Sequence, residues 1–173
     1  RLAAQSPMGS VIKVIAAYEQ PFWRAAGLSG EAVSHRLPLN AVFDASWPEE
    51  RGGALVGFFD GAAALEYAEA SAGARKQAAL DSLTEYFGPQ ARDVAGYTDY
   101  NWLADPWAEG CYTGVMPPGL LTSVGRSLRE PCGRIHWAGT ETARQWTGYI
   151  EGALESGERV AEEVLALAMT PNI

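Results

Sequence analysis

RIHWAGTETARQWTGYIEGALESGERVAEEVL, residues 134–165, decides how this chain is read. Its first six residues, RIHWAG, form a compact run closed by Gly139, which predicts a strand. The polar residues 140–147 then predict a loop, and residues 148–169 a long helix. On that helix Ile150, Ala153, Leu154, Gly157, Ala161, Val164 and Leu165 fall on one stripe, while Glu151, Glu155, Glu158, Arg159, Glu162 and Glu163 lie largely outside it. Glu155 and Arg159 have the spacing of an i,i+4 ion pair. A polar loop between a strand's carboxyl end and a helix N-terminus is a place that ligands favour. Gly148 and Gly152 allow either of two arrangements there: close approach of a ligand to unpaired N–H groups, or tight packing of the helix on a sheet, with the glycines needed only for steric fit. Glu141 is either a hydrogen-bond acceptor for a ligand or a solvated loop carboxylate.

Upstream, GSVIKVIAAY at residues 9–18 is rich in β-branched residues and bounded by Pro7 and Pro21, the mark of a buried strand. ALVGFF at 54–59 predicts a second. Pro38 and Pro48 restrict the sequence between them to short or edge strands. Residues 62–87 are Ala-rich with helical spacing, predicting two helices broken near Gly73 and stopped by Gly88 and Pro89. Residues 97–119 are aromatic and turn-rich without a clean period, and residues 120–128 predict a short helix after Pro117 and Pro118.

With 173 residues the chain has room for one domain or two small ones, and 47% apolar residues suffice for a core. Twenty-one acidic against 13 basic side chains give a net charge of −8, which argues against a nucleic-acid partner. The two cysteines, Cys111 and Cys132, show neither a disulfide framework nor metal-ligand spacing, so no metal is expected and a reducing, cytoplasmic location is. Apolar runs are too short to span a bilayer, and no membrane association is expected. His35 and His136 form no triad-like pattern.

Some residues carry chemical alternatives. In strand alternation Lys13 shares a face with Val11, Ile15 and Ala17, so its ammonium either snorkels to water or faces a polar site. Tyr112 and Tyr149 either pack in a core or form an aromatic pair that positions an amine, by cation–π attraction if protonated and by steric guidance if neutral. Trp102 either covers a flat heterocycle or fills core space, and Cys111 is most simply a small buried hydrophobe.

Three ordered blocks, PMGSVIKVIAAYEQPFW at 7–23, NWLADPWAEGCYTGVMPPG at 101–119 and the stretch at 134–165, together resemble the C-terminal part of the flavin-dependent monoamine oxidase family, which includes bacterial monoamine and putrescine oxidases. GFFDG at 57–61 fits a strand of that family's substrate domain. The resemblance implies an α/β (α+β) chain that combines part of a substrate-domain sheet, residues 1–102, with the last strand and helix of an FAD-binding domain, residues 103–173. It implies FAD as cofactor, with an amine and O2 as small-molecule partners, an imine as product and hydrogen peroxide as by-product. By the same resemblance Lys13 matches the lysine that holds a water near flavin N5, and Tyr112 with Tyr149 the aromatic cage. Trp102 matches the tryptophan beside the isoalloxazine. Gly139, Thr140, Glu141, Gly148, Tyr149, Ile150, Glu151, Gly152 and Ala153 match the C-terminal FAD-contacting loop and helix start. Cys111 sits where covalent members attach the flavin 8α-methyl as a thioether, whereas other members bind FAD without that bond. The glycine-rich G-x-G-x-x-G opening of a dinucleotide-binding fold is not among these residues. The adenine and most pyrophosphate contacts are therefore expected from an N-terminal part of a longer parent chain. The chain is also expected to lack a membrane tail after Met169, and to leave apolar faces uncovered that favour homo-oligomers.

Overall fold

Alternation of side chains along residues 11–18 places Ile12, Val14, Ala16 and Tyr18 on one face of a strand, and those four residues seed the core. The computed structural model describes residues 3–47 and 52–168. Contacts divide the chain into two compact units, Ser10–Cys111 and a second made of Arg1–Gly9 with Tyr112–Ile173. The divisions fall after Gly9 and after Cys111.

The first unit is a mixed helix and sheet structure. It comprises β1 (Val11–Tyr18), α1 (Phe22–Ala25), β2 (Ala32–Val33), β3 (Ala41–Asp44), β4 (Gly53–Asp60), α2 (Ala62–Tyr67), α3 (Ala72–Phe87) and β5 (Gly96–Asn101). The strands form one sheet in the order β2-β3-β4-β1-β5, with every pairing antiparallel. Both strands expected from the apolar runs are present, and the proline-bearing segment between them supplies the two short ones, although Pro48 lies outside the described residues. One sheet face buries Ile12, Val14, Val42, Leu55 and Phe59 against Ala79, Leu80, Leu83 and Phe87 of α3, with Trp23 and Leu39 fully enclosed. Gly57 in the middle of β4 makes room for Leu39: a Cβ there would lie 2.8 Å from a Leu39 methyl. The opposite face carries Lys13, Ile15, Phe43 and Tyr100, all exposed.

The helix break expected near Gly73 comes at residues 68–71, where the Ser71 side chain caps α3 by accepting from the Ala74 N–H at 3.2 Å. One expectation is corrected in this unit: residues 97–101, read as part of an aperiodic stretch, form β5 together with Gly96. Their order is imposed by pairing with β1, where Tyr100 stands opposite Lys13 and Thr98 opposite Ile15.

The second unit contains α4 (Leu120–Val124) followed by a 3-10 turn at Gly125–Leu128, a second 3-10 turn at Thr140–Thr142, and α5 (Ile150–Ala168). The expected strand at 134–139 is absent: the segment makes only an isolated bridge between Cys132 and Ile135. A strand needs a partner strand, and among the described residues this unit offers none. Side chains take its backbone groups instead, with Ser156 bonded to the Gly139 N–H and Arg159 to the Trp137 carbonyl.

The long helix is present, its expected end at Met169 lying outside the described residues. Its buried face is not the apolar stripe. Gly152, Ser156 and Arg159 are buried, whereas Ile150, Leu154, Val164 and Leu165 are exposed. The expected Glu155–Arg159 pair is replaced as well. Glu155 accepts from the Arg144 backbone N–H, and Arg159 pairs with Glu163 at 2.6 Å because its guanidinium turns inward toward backbone carbonyls.

Candidate functional site

In the second unit the candidate residues gather around the turn that precedes α5. Gly139 has φ 136°, and the 3-10 turn at Thr140–Thr142 follows it. The Thr140 hydroxyl accepts the Gly148 N–H at 2.6 Å and donates to the Tyr149 carbonyl at 2.9 Å, which ties the turn to the residues leading into the helix. Gly148 at φ 90° and Trp146 at φ 56° both occupy left-handed backbone, a conformation unusual for a bulky residue. It is held by the Trp146 carbonyl accepting from the Tyr149 N–H, and by an edge contact between the two rings, 6.1 Å between centroids.

Glu141 points the other way. One of its carboxylate oxygens accepts the Thr113 hydroxyl at 2.8 Å and the Gly114 N–H at 3.4 Å. Burial pushes its carboxyl up, but these bonds and one from its own backbone outweigh that and hold it below the usual carboxylate range. Glu141 is thus a half-buried internal acceptor, a role that neither of its two readings described. The bonds fix the residues directly after Tyr112, a loop also paired to the chain start by the Met8–Gly114 bridge. Tyr112 and Tyr149 thus stand on one bonded scaffold, both exposed, at 63% and 66%.

A Cβ at Gly152 would lie 2.3 Å from the Trp146 carbonyl oxygen, so this glycine makes room for the loop that leads into α5 and not for a sheet. Ile150, Glu151 and Ala153 are exposed at the helix start, where the first N–H groups of any helix lack intrahelical acceptors.

The first unit holds Lys13, Trp102 and Cys111. Lys13 is exposed on β1 between Phe58 of β4 and Tyr100 of β5, so its side chain leaves a sheet face flanked by two aromatic rings. Tyr100 packs edge-on against Trp102, with centroids 4.7 Å apart, and donates its hydroxyl to Asp105 at 2.6 Å. Asp105 also accepts from the N–H groups of Trp107 and Ala108, and these bonds keep its carboxyl low and the Tyr100 phenol high. Cys111 is a free, half-buried thiol. Burial pushes it up, while the Lys13 ammonium pulls it down and Asp60 adds to the rise. No group of acidic, His or Cys side chains suited to a metal occurs among the described residues. No described helix is long and apolar enough to cross a membrane.

Sequence reasoning missed Tyr100, Asp105, Arg129 and Ser156 as supports of these positions. Arg129 and Ser156 act on backbone groups distant in sequence, whereas Tyr100 and Asp105 bond to each other and to nearby residues in an aperiodic stretch; only the i, i+2 alternation of Thr98 and Tyr100 hinted at a paired strand.

Residues 1–165 match the family described as flavin containing amine oxidoreductase, and the chain belongs to that family. It is 46% identical over 163 residues to a probable flavin-containing monoamine oxidase A of Dictyostelium discoideum, covering 94% of this chain and 36% of the relative. Among solved structures it is similar to the cyclohexylamine oxidase of Brevibacterium oxydans IH-35A. There the TM-score is 0.91 and the identity 35%, over 98% of this chain and 38% of that one. It is also similar to a putrescine oxidase bound to putrescine, with TM-score 0.90 and 34% identity over 96% and 37% of the two chains. The chain therefore spans about 36% of the length of the curated relatives it matches. The family implies FAD. The Thr140 hydroxyl and the Gly148 N–H spend their donors inside the turn, so the donors that fit the acceptor-bearing edge of a flat ring are the first N–H groups of α5, at Ile150 and Glu151, whereas no G-x-G-x-x-G loop for a pyrophosphate occurs in the sequence.

Proposed function

We propose that this chain is the C-terminal part of a longer flavin-dependent amine oxidase acting on a primary amine or polyamine. The overall reaction consumes amine, O2 and water and yields aldehyde, ammonia and hydrogen peroxide, the aldehyde arising by hydrolysis of an imine. In this reading Ser10–Cys111 belongs to the substrate-binding domain, and the Tyr112–Ile173 unit completes the FAD-binding domain. The observation that carries the proposal is the bonding of Glu141 and Thr140, which stands two exposed phenols on one scaffold beside a helix N-terminus.

FAD, when bound, takes the hydride equivalent from the amine α-carbon and passes its electrons to O2. The protein's own task is orientation. Tyr112 and Tyr149 guide the amine between their rings, and Gly139, Thr140 and the α5 start hold the cofactor's polar edge. Lys13 holds a water through its ammonium, and Trp102, braced by Tyr100, covers the flat ring. Cys111 leaves both modes of flavin attachment open, because a raised thiol pKa disfavours spontaneous thiolate attack but does not forbid a thioether. A cytoplasmic location is part of this reading, supported by the two free cysteines.

The test uses the full-length polypeptide loaded with FAD. Anaerobic mixing with putrescine or benzylamine should bleach the flavin's visible absorbance, and readmitted O2 should restore it with peroxide released. Lys13→Met should slow flavin reduction or reoxidation without lowering the unfolding midpoint; unchanged kinetics would remove Lys13 from the mechanism. A chain that folds without turnover is the competing reading, favoured by the exposure of Ile150, Leu154 and Leu165. Absence of bleaching by any primary amine or polyamine decides for it.

A further inference from the structure

The turn at residues 139–143 has a buried back and an open front. Thr142 and Ala143 are buried, Thr140 and Glu141 half-buried, and Gly148 and Tyr149 exposed. Its back is held by two guanidiniums. Arg129 donates Nε to the Thr142 carbonyl at 2.7 Å and an Nη to the Ala143 carbonyl at 2.6 Å, so one rigid fork spans two successive peptide groups. Arg159 of α5 donates to the Trp137 carbonyl at 2.9 Å and to the Thr142 hydroxyl at 3.2 Å, with Glu163 balancing its charge.

The two arginines differ in what else depends on them. Arg159 is buried and linked through Glu163 to His136, so its loss would leave charged groups stranded. Arg129 is exposed, and among the described residues no carboxylate lies within salt-bridge distance of it. Its bonds serve the carbonyls of this turn, and the hydrophobic core does not rest on it.

We propose that Arg129 is a positioning residue for the flavin. Its guanidinium fork sets the 139–143 turn in the binding conformation before the cofactor arrives, so that the cost of ordering the turn is not charged against binding. The inference rests on the flavin reading above, in which the open front of the same turn meets FAD. Loss of two hydrogen bonds of ordinary net strength corresponds to a loss of affinity of roughly tenfold to thirtyfold.

The experiment compares Arg129→Met and Arg129→Lys with the wild type in the full-length polypeptide. Hydrogen exchange of residues 137–149 is measured without FAD, and FAD affinity and the visible circular dichroism of the bound flavin are measured by titration. In Arg129→Met the global unfolding midpoint should stay unchanged, exchange in 137–149 should quicken, and the FAD dissociation constant should rise at least tenfold with an altered flavin dichroism. Arg129→Lys keeps the charge but cannot bridge both carbonyls, so it should restore only part of each property. Wild-type exchange and FAD affinity in Arg129→Met overturn the proposal alone, as does full rescue by Lys, which would assign the effect to charge. A wild-type polypeptide that takes up no FAD overturns the flavin reading and this role with it, while the exchange rates still report whether Arg129 orders the turn.

Discussion

The two units keep their order by different means. In Ser10–Cys111 a sheet face closes over Trp23, Leu39, Phe59 and α3, and Trp23, Phe59, Ile12, Leu39 and Leu55 are fully enclosed. In the other unit the buried groups are few and largely small or polar: Leu120, Ala143, Thr142, Ser156 and Arg159. There the backbone is fixed by side chains that bond to it, from Arg129, Thr140, Glu141, Ser156 and Arg159. Burial produces cooperative, global stability, whereas scattered polar bonds at half-exposed sites define local shape with little net energy. The unit that carries Tyr112 and Tyr149 is thus defined in shape while leaving the apolar side of α5 uncovered.

The largest expected effect tests the first half of that contrast. Trp23 is fully buried, packs against Tyr18, Phe22 and Phe87, and donates its indole N–H to Asp44 at 2.9 Å. Trp23→Ala should cost about 3–5 kcal/mol and lower the urea midpoint of the sheet unit in one cooperative step. A loss below about 1 kcal/mol would mean that burial does not hold this unit together.

How much of this was legible beforehand follows the same division. Strands β1 and β4 announced themselves by apolar runs, because a covered sheet face imposes a pattern on its own residues. Strand β5 did not, since it is ordered by β1 and exposes much of its own surface. Residues 134–139 carried a strand's composition without a strand to pair with, and the apolar stripe of α5 marks a face that the described residues leave exposed. Composition records what a segment is suited to pack against, not whether that surface is present. For the candidate site, residue types and their order pointed to the residues around the turn before α5 only through the family resemblance. The bonds from Arg129, Glu141 and Ser156 that give the loop its shape join positions with no periodic relation, so no local pattern disclosed them.

Acid sharpens the comparison next. Burial pushes the Asp44 carboxyl up, but hydrogen bonds from Ser46, Trp23 and Arg24 outweigh it and bring it to about 2. A carboxyl lowered in the folded state contributes stability that is fully present above its unfolded value, near about 3.9, and is lost as pH falls through its folded value. The sheet unit should therefore lose on the order of 2 kcal/mol between about pH 5 and about pH 2, a loss that Asp44→Asn should flatten. Denaturant midpoints across that range measure it, and equal slopes for wild type and Asp44→Asn would remove Asp44 as the cause. Glu141 is lowered in the same sense, so protonation should also free the loop after Tyr112, visible as faster exchange at residues 113–114.

The smallest effect bears on the second unit. Ser156 is fully buried and accepts the Gly139 N–H at 2.9 Å while donating to the Ala153 carbonyl at 2.8 Å. Removing the hydroxyl leaves that N–H without its acceptor, but Gly139 is only half-buried, so water can replace the lost bond. Ser156→Ala should accordingly cost only about 1 kcal/mol, at the low end for a buried hydrogen bond. Its effect should be local: exchange should quicken at residues 137–143, while the sheet unit keeps its unfolding midpoint. A global loss comparable to that of Trp23→Ala would instead show that the polar lattice behind the turn carries the same cooperative stability as the sheet core, and the contrast between the units would fall.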